Sequence, residues 1–327
     1  MYKNLLANTF NNIILQISLV IVGIGGLVAD YFGHGYWIAI VIAVVGILWA
    51  IYDEYKTNKV YSAPNIPIPI VFNISNPTDS KSALKSLFGI LESEYPNHKK
   101  NLEKYFNIIE DDLVFKYDGD IFNKERFMDF LKITKHEIKK LDKQIPQNIH
   151  YHIVYIGPIS TAIMIGTMLG TEGVTLYQYN KSTDSYTIGI ELKSRAYKEH
   201  IDEFSIVKKN IIGDMDDAKS VTVAIDLASH KIALNKLQTP IVHLESIVGA
   251  TLHESKDFLR ANQEIYSVIN QLQQHNTHIT LVYSMPVTVA IMIGMSIQNY
   301  WDIELTQFDN GEYRSVIDRL NSIKYYF

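Results

Sequence analysis

Apolar and polar positions divide the chain into an almost purely apolar start and a longer, alternating remainder. Two runs near the start, 13–29 and 36–52, hold no charged residue, and the short turn between them carries Asp30 and His34. As helices these runs would each be roughly 26 Å long, at the lower edge of what crosses a bilayer. The pattern predicts a two-pass transmembrane hairpin within residues 1–55, with helices at about 12–29 and 36–52. A hairpin buried in a soluble protein is the alternative, but neither predicted helix has a polar face.

Lysines flank this hairpin on one side only. Lys3 precedes the first predicted helix, Lys56 and Lys59 follow the second, and the turn contains neither Lys nor Arg. Positively charged residues stay on the cytoplasmic side of a membrane. We therefore expect a multi-pass membrane protein that has the lipid bilayer as a partner and its large C-terminal domain in the cytoplasm.

Beyond a proline-bearing linker at 56–69, predicted strands and helices alternate. Stretches rich in β-branched and aromatic residues predict strands at 70–75, 150–156, 221–228, 240–244 and 278–283. Apolar or amphipathic stretches predict helices at 81–91, 97–109, 124–143, 158–169, 254–274 and 286–297. This alternation is typical of an α/β fold with parallel sheets and right-handed crossovers, divided into a first half at 70–200 and a second half at 201–327.

One strand–loop–helix stretch occurs twice, at 150–166 and 278–294. Both copies place a proline, Pro158 or Pro286, eight residues before a glycine, and both contain Ala-Ile-Met-Ile-Gly. With one extra residue in the second copy, the next strands also align, and a tyrosine follows each: Tyr177-Gln-Tyr-Asn180 with Thr306-Gln-Phe-Asp309, and Tyr186 with Tyr313. So many features in step indicate an internal duplication.

Each copy predicts a polar loop between the carboxyl end of a strand and the start of a helix. The first-turn N–H groups of such a helix attract an anion such as a phosphate, with Ser160 and Thr161 or Thr288 beside them. Two matched copies favour one shared, two-lobed pocket where parallel strands end. A buried crossover without a ligand is the alternative for either copy taken alone.

Composition narrows the chemistry. The net charge of −5 argues against an extended DNA or RNA surface, and the absence of cysteine excludes disulfides, thiolate metal sites and cysteine nucleophiles. No sequence motif for a zinc protease, a serine hydrolase elbow or a nucleotide phosphate loop is present. His150 and His152 share one strand face without a visible third ligand, which favours a structural role. We expect no catalytic residues, no metal and no cofactor.

These features resemble a known family. The duplicated strand–Pro–helix–strand pattern of residues 67–327, with Gly157-Pro158, Met285-Pro286 and the aromatic residues of the following strands, is similar to the SAVED domain, a fusion of two Rossmann-like, CARF-like units. Joined to a two-helix hairpin, it looks like the transmembrane SAVED effectors of CBASS antiphage systems in bacteria. The resemblance implies a sensor of a cyclic di- or trinucleotide second messenger that forms a homo-oligomer when it binds. It also implies that the oligomer disrupts the inner membrane and causes abortive infection.

A cyclic nucleotide needs N–H and hydroxyl donors for its phosphates and riboses, and flat or apolar faces for its bases. In the first half the candidate binding residues are Asn76, Thr78, Asp79, Ser80, Gly157, Pro158, Ser160, Thr161 and Tyr179. In the second half they are Ser229, His230, Lys231, Ser284, Met285, Pro286, Thr288 and Phe308. A membrane-tethered enzyme that degrades the same ligand, or a membrane scaffold, is the alternative function.

Overall fold

A computed structural model of the protein describes residues 40–41, 44–49, 51–52, 55, 65–76, 79–145, 148–170, 173–180, 182–216, 218–249, 252, 255–275, 277–297 and 300–320. The chain divides into two compact units, Met1–Pro64 and Asn65–Phe327.

The predicted hairpin falls in the first unit. The run 12–29 and the turn after it lie outside the described residues, whereas the described positions of the second run, at 40–41, 44–49 and 51–52, are helical. The side chains of Val45, Leu48 and Trp49 are exposed. Among the described residues, no helix has the length and apolar character needed to cross a membrane.

The first half of the second unit contains a five-stranded sheet of order β2-β1-β3-β4-β5. Its strands are β1 (Asn65–Ile74), β2 (Val114–Tyr117), β3 (Asn148–Ile156), β4 (Gly173–Asn180) and β5 (Ser185–Leu192). Its helices are α1 (Ser80–Glu92), α2 (His98–Phe106), α3 (Lys124–Gln144) and α4 (Ile159–Leu169). All neighbours are parallel except β5, which returns antiparallel to β4.

The second half contains a six-stranded sheet of order β11-β10-β9-β7-β8-β6. Its strands are β6 (Val207–Ile212), β7 (Ser220–Asp226), β8 (Ile241–Ser246), β9 (His278–Ser284), β10 (Ile303–Asp309) and β11 (Glu312–Ile317). Its helices are α5 (Ser255–Gln274) and α6 (Val287–Ser296). The outer strands β6 and β11 are antiparallel to their neighbours, and the inner four strands are parallel.

The two sheets repeat one connectivity. Strands β1 to β5 correspond in order to β7 to β11, and β6 is an addition at the open edge of β8. An irregularity recurs in the outer hairpin as well, where Gly189 of β5 and Val316 of β11 are each the extra residue of a register shift. The chain therefore has the predicted mixed α/β architecture with two mostly parallel sheets, and its topology agrees with an internal duplication.

The repeated Ala-Ile-Met-Ile-Gly sequence lies where α4 packs against α6. A Cβ atom on Gly166 would lie 2.9 Å from the Cα of Gly294 and still closer to the carbonyl oxygen of Ile291. A Cβ atom on Gly294 would meet Gly166 and the carbonyl oxygen of Ile163 in the same way. The two glycines thus let two copies of one helix approach backbone to backbone across a pseudo-twofold axis, which explains why this sequence is needed twice.

The structure differs from the predicted elements at the start of the first sheet. The predicted strand at 70–75 begins earlier, at Asn65, so Pro67 and Pro69 lie in β1 rather than in an irregular linker. Strand β2 pairs with the last residues of β1, beginning at Val71, and among the described residues the prolines have β3 as their one neighbouring strand. Prolines fit such a position because the missing N–H can face the unpaired side. The carbonyl oxygen of Pro67 there lies 2.7 Å from Nε2 of His98.

Four strands, β2, β5, β6 and β11, were not among the predicted elements. β6 is held in place by a buried carboxylate. Glu264 of α5 is fully buried and accepts hydrogen bonds from the backbone N–H groups of Ser205, Ile206 and Val207, at 2.7 to 3.1 Å for the shortest contact of each. Nε of Arg260 lies 2.9 Å from the same carboxylate. This side chain therefore fixes the segment that joins the two halves.

Candidate ligand site at the carboxyl ends of the strands

The loop after β1 is closed by local hydrogen bonds. The fully buried Asn73 donates to Oγ of Ser80 at 2.9 Å, and the carboxylate of Asp79 caps α1 by accepting from the N–H of Lys81 at 2.9 Å. Asp79 is exposed and Asn76 half-buried, whereas Ser80 is buried and Thr78 lies outside the described residues. Asp79 and Asn76 thus form the accessible edge of this loop.

The loop between β3 and α4 requires glycine at its first position. Gly157 has a φ of 151°, and a Cβ atom there would lie 2.7 Å from the hydroxyl of Tyr155 and 2.8 Å from the carbonyl oxygen of Ile74. Tyr155 donates to the carbonyl oxygen of Pro158 at 2.7 Å, and Thr161 donates to the same oxygen at 2.9 Å. The two hydroxyls also contact each other. The predicted binding residue Thr161 is therefore buried and engaged within the loop.

The equivalent loop between β9 and α6 has the same frame with other side chains. Met285 and Pro286 are buried, Ser284 is half-buried, and Pro286 caps α6 as Pro158 caps α4. Tyr283, the counterpart of Tyr155, donates to the carbonyl oxygen of Thr306 on β10. Burial raises the pKa of both tyrosines well above its ordinary value, so neither hydroxyl is a base near neutral pH.

The loop after β7 provides the polar rim of the second half. Ser229, His230 and Lys231 are exposed there. Nζ of Lys231 lies 3.6 Å from Oδ1 of the buried Asp226 and 3.4 Å from Oε1 of Glu245, which lies opposite Asp226 near the end of β8. Lys231 is thus a cation held at the strand ends between two carboxylates.

Sequence reasoning missed two titratable residues here, one beside Lys231 and one beside Asp226. Glu245 lies just beyond the predicted strand at 240–244, and His243 lies inside it with Nε2 3.7 Å from Oδ2 of Asp226. The sequence signal for this cluster is the alignment of Asp226 with Asn73 at matching strand ends. The structure buries both side chains there.

The candidate hydroxyls at the starts of α4 and α6 are buried. Ser160 is fully buried and donates through Oγ to Oε1 of Gln307 on β10 at 3.1 Å, and its N–H lies 3.5 Å from the same oxygen. Thr288, its counterpart on α6, is 1% exposed. The structure thus brings a first-half helix start against a second-half strand, a contact that the sequence did not indicate.

The candidate stacking residues lie elsewhere. Tyr179 and Phe308 are exposed and pack against Tyr186 and Tyr313 of the adjacent strands, with ring centroids 5.4 and 5.1 Å apart. Side chains alternate across a strand, so Tyr179 points to the face opposite Gln178 and Phe308 to the face opposite Gln307. They are therefore on a different side of the sheets from the buried starts of α4 and α6.

The two histidines of β3 lie near the amino ends of the strands. His150 Nε2 is 2.8 Å from Oγ1 of Thr175, and His152 Nδ1 is 2.9 Å from the hydroxyl of Tyr177. Burial, with smaller effects of His150 and His98, lowers the pKa of His152 to about 3. Within the residues that the structure describes, no group of three or more His, Asp or Glu side chains is placed to hold a metal ion.

Residues 208–318 match the model of a protein family, the SAVED domain, described as the SMODS-associated and fused to various effectors sensor domain. The matched residues run from β6 to the end of β11 and amount to roughly one third of the chain. No curated protein sequence matches the chain.

Three solved receptor structures are similar to this chain. One is the Acinetobacter baumannii Cap4 SAVED/CARF-domain containing receptor with the cyclic trinucleotide 2′3′3′-cAAA, with 14% identity, a TM-score of 0.49 and coverage of 84% of this chain and 55% of that one. The same receptor with 3′3′3′-cAAA has 12% identity and a TM-score of 0.49, and the match covers 86% of this chain and 58% of that one. The Moraxella osloensis Cap4 SAVED/CARF-domain containing receptor has 13% identity and a TM-score of 0.42, and the match covers 95% of this chain and 76% of that one. The chain spans little more than half the length of the Acinetobacter receptor.

Proposed function

We propose that this protein is a receptor for a cyclic oligonucleotide second messenger in a CBASS-type antiphage response. The observation that carries the proposal is the SAVED match at 208–318 together with the repeated topology of the first half. The match covers the second half, and the first half repeats its strand order and joins it through the contact of α4 with α6. These two observations support a sensor whose two lobes lie in one chain.

The ligand in this proposal binds over the loops at the carboxyl ends of the strands. The accessible groups there are Asn76 and Asp79 in the first half and Ser229, His230 and Lys231 in the second. A phosphate would replace the carboxylates of Asp226 and Glu245 as the partner of Lys231 and would accept a charge-assisted hydrogen bond from its ammonium group. Because these two acids partly balance Lys231, neutral donors of the loops must contribute much of the phosphate recognition.

The receptor in this proposal binds its ligand without cleaving it. The hydroxyl of Thr161 is buried and already donates to a carbonyl oxygen, and its neighbour Tyr155 has a pKa raised by burial. An activated nucleophile needs an adjacent base that is unprotonated at the working pH. This pair offers no such base.

The output in this proposal is damage to the bacterial inner membrane. The uncharged runs at 13–29 and 36–52 would place two short helices in the bilayer, with the second unit in the cytoplasm. Ligand binding would drive a homo-oligomer through a head-to-tail contact, which can propagate from one copy to the next. Clustered short hairpins would then thin or open the bilayer, since mismatch with its thickness has a cost.

Thermal unfolding of the full chain in detergent, with a panel of cyclic di- and trinucleotides that includes 2′3′3′-cAAA and 3′3′3′-cAAA, tests the receptor. At a hundred times the dissociation constant, binding adds about 2.7 kcal/mol of stability and raises the Tm clearly. A well-folded chain with an unchanged Tm across the panel would contradict the proposal. Chromatography of the ligand after incubation distinguishes receptor from enzyme, because consumption of the ligand would show cleavage.

The membrane step has its own measurement. The full chain in dye-loaded vesicles should release dye only when the binding nucleotide is added, and light scattering should report a larger particle under the same conditions. Binding without release of dye would favour a membrane scaffold over a membrane-disrupting effector.

A further inference from the structure

Several hydrogen bonds join the two halves, and one of them lies where the first turn of α4 meets the opposite sheet. Ser160, in the first turn of α4, donates to Oε1 of Gln307 on β10 of the other half at 3.1 Å. The duplication makes Thr288 of α6 the counterpart of Ser160, and Gln178 of β4 the counterpart of Gln307. A second contact of the same kind is therefore expected between Gln178 and Thr288.

That second contact is not made. Oε1 of Gln178 and Oγ1 of Thr288 are both buried, and neither has a hydrogen-bond partner in the described part of the chain. Buried polar groups are almost always paired in native proteins, so two unpaired groups at symmetry-matched positions need an explanation.

The local packing explains how the two sides differ. Thr288 lies against Gly189 of β5, where a Cβ atom would be 2.9 Å from Oγ1 of Thr288. The counterpart of Gly189 in the second sheet is the buried Val316. Thr288, the larger of the two helix residues, thus lies against the smaller of the two strand residues. Only the side of Ser160 has its hydrogen bond.

The unpaired groups connect to the candidate site through the chain. Thr288 follows Pro286 by two residues, and Pro286 ends the loop that leads from β9 into α6. Gln178 precedes the exposed Tyr179 near the carboxyl end of β4. A ligand that moves the β9–α6 loop therefore moves Thr288 relative to Gln178.

We infer that Gln178 and Thr288 are positioning residues whose hydrogen bond forms when a cyclic nucleotide binds and draws the two halves into a more symmetric arrangement. This inference rests on the proposed receptor function. A hydrogen bond made only in the bound form strengthens binding, and two polar groups left unpaired in the present form weaken that form relative to the bound one.

Variants with apolar side chains of similar shape test the inference in the full chain. Gln178→Leu and Thr288→Val remove the unpaired groups, so the Tm without nucleotide should rise. The same variants cannot make the new bond, so the Kd for the nucleotide that binds the wild-type chain most tightly in the panel should rise by roughly 3- to 10-fold. A purely structural role for these residues would not produce a higher Tm together with weaker binding.

The counterpart pair supplies the matched control. Ser160→Ala and Gln307→Leu remove the bond that is already made, so the Tm without nucleotide should fall. The double variant Gln178→Leu/Thr288→Val should weaken binding no more than either single change, because both remove one bond.

The outcomes separate this inference from the receptor proposal. If Gln178→Leu and Thr288→Val lower the Tm as the control variants do, or leave the Kd unchanged, the inference is wrong while the receptor stands. If the wild-type chain binds no member of the panel, the receptor proposal fails, and the inference about binding fails with it.

Discussion

The two halves of the second unit share a frame, which is their common strand order together with the repeated helices α4 and α6. They differ in the connection after the opening strand. In the first half, β1 leads through the capped start at Asp79 into α1, and β2 follows only after a further helix, α2. In the second half, β7 leads to β8 through a short loop with a single turn of helix at Leu234–Lys236. The shared frame forms the contact between halves, whereas the differing connections form the rim. A duplicated fold can therefore vary the loops at its strand ends without losing the contact between its two copies.

The largest expected effect on stability comes from disrupting the contact between α4 and α6 at Gly166 and Gly294. Gly166→Ala places a Cβ atom 2.9 Å from the Cα of Gly294, against backbone that cannot move aside cheaply. We expect the free energy of unfolding to fall by about 3 kcal/mol, at the upper end of the cost of overpacking. Denaturant unfolding of the full chain measures this loss, and Gly294→Ala should give a similar value because the contact is reciprocal.

The control for this change is another helical glycine. Gly89 of α1 is exposed, and a Cβ atom there would meet nothing within 4 Å. Gly89→Ala should therefore stabilise the protein by about 0.5–1 kcal/mol through helix propensity. Equal losses for Gly89→Ala and Gly166→Ala would show that the close approach of α4 and α6 is not what the glycine provides.

The next effect concerns a feature that only the second half has. Glu264→Ala removes the acceptor of the backbone N–H groups that lead into β6 and leaves those of Ile206 and Val207 buried without a partner. We expect a loss of about 3 kcal/mol in unfolding free energy, since each unpaired buried donor costs roughly 1–3 kcal/mol. Glu137→Ala on the exposed face of α3 is the matched control and should change stability by less than about 1 kcal/mol. Comparable losses in the two variants would contradict this role.

The frame was more predictable than the rim for a physical reason. The strand and helix periodicities and the repeated Ala-Ile-Met-Ile-Gly are local patterns, and they led to the correct α/β topology and to the duplicated unit. The extension of β1 through Pro67 and Pro69 was missed because proline usually signals a linker, and its tolerance here depends on a neighbour missing from one side of the strand.

The candidate site needed contacts that no local pattern contains. Ser160 and Thr288 lie at helix starts, as the sequence predicts, but their burial depends on how α4 and α6 face the opposite sheet. The sequence predicts a binding role for the aromatic Phe308, but strand alternation directs that ring outward and its neighbour Gln307 inward to Ser160. Thr78 and the predicted helix at 12–29 lie outside the described residues, so their roles stay predictions.

A smaller effect is expected where the two rims differ in charge. Lys231→Gln removes the cation that lies between Asp226 and Glu245 and leaves their carboxylates facing the ligand. We expect a Kd about tenfold higher for the nucleotide that binds the wild-type chain, with a weaker dependence on salt, because one phosphate contact is lost. Calorimetric titration at two salt concentrations measures both quantities.

The neighbouring Lys236 tests whether this effect is local. Its Nζ donates to the carbonyl oxygen of Gly311 at 2.7 Å, in the same connection but away from the two acids. Lys236→Gln carries the same charge change and should leave the Kd within about twofold of the wild-type value. An equal rise in Kd for both variants would mean that net charge, and not the position of Lys231, governs binding.

The smallest expected effect is a difference between the halves in how much a lower pH reduces the free energy of unfolding. His152 of β3 is replaced at the matching position of β9 by Thr280, which donates to Glu304 at 2.8 Å. Burial lowers the pKa of His152 from 6.5 to about 3, so the imidazole takes up a proton on unfolding between these pH values. Stability from this group is therefore present above pH 6.5 and is lost as the pH falls towards 3, by at most about 1.4 kcal/mol per pH unit. Because the unfolded imidazole is only half protonated at pH 6.5, the loss between pH 6.5 and 5.5 is at most about 1 kcal/mol, and partial exposure of His152 makes it smaller.

Substitution with the residue of the other half isolates this contribution. His152→Thr should flatten the fall of unfolding free energy between pH 6.5 and 5.5, although His98 and His150, whose pKa values burial also lowers, still act in the same direction. His136→Gln, on the exposed face of α3, should leave the slope unchanged. If His152→Thr retains the full wild-type slope, the acid sensitivity arises elsewhere, and the buried histidine of β3 does not distinguish the first half from the second.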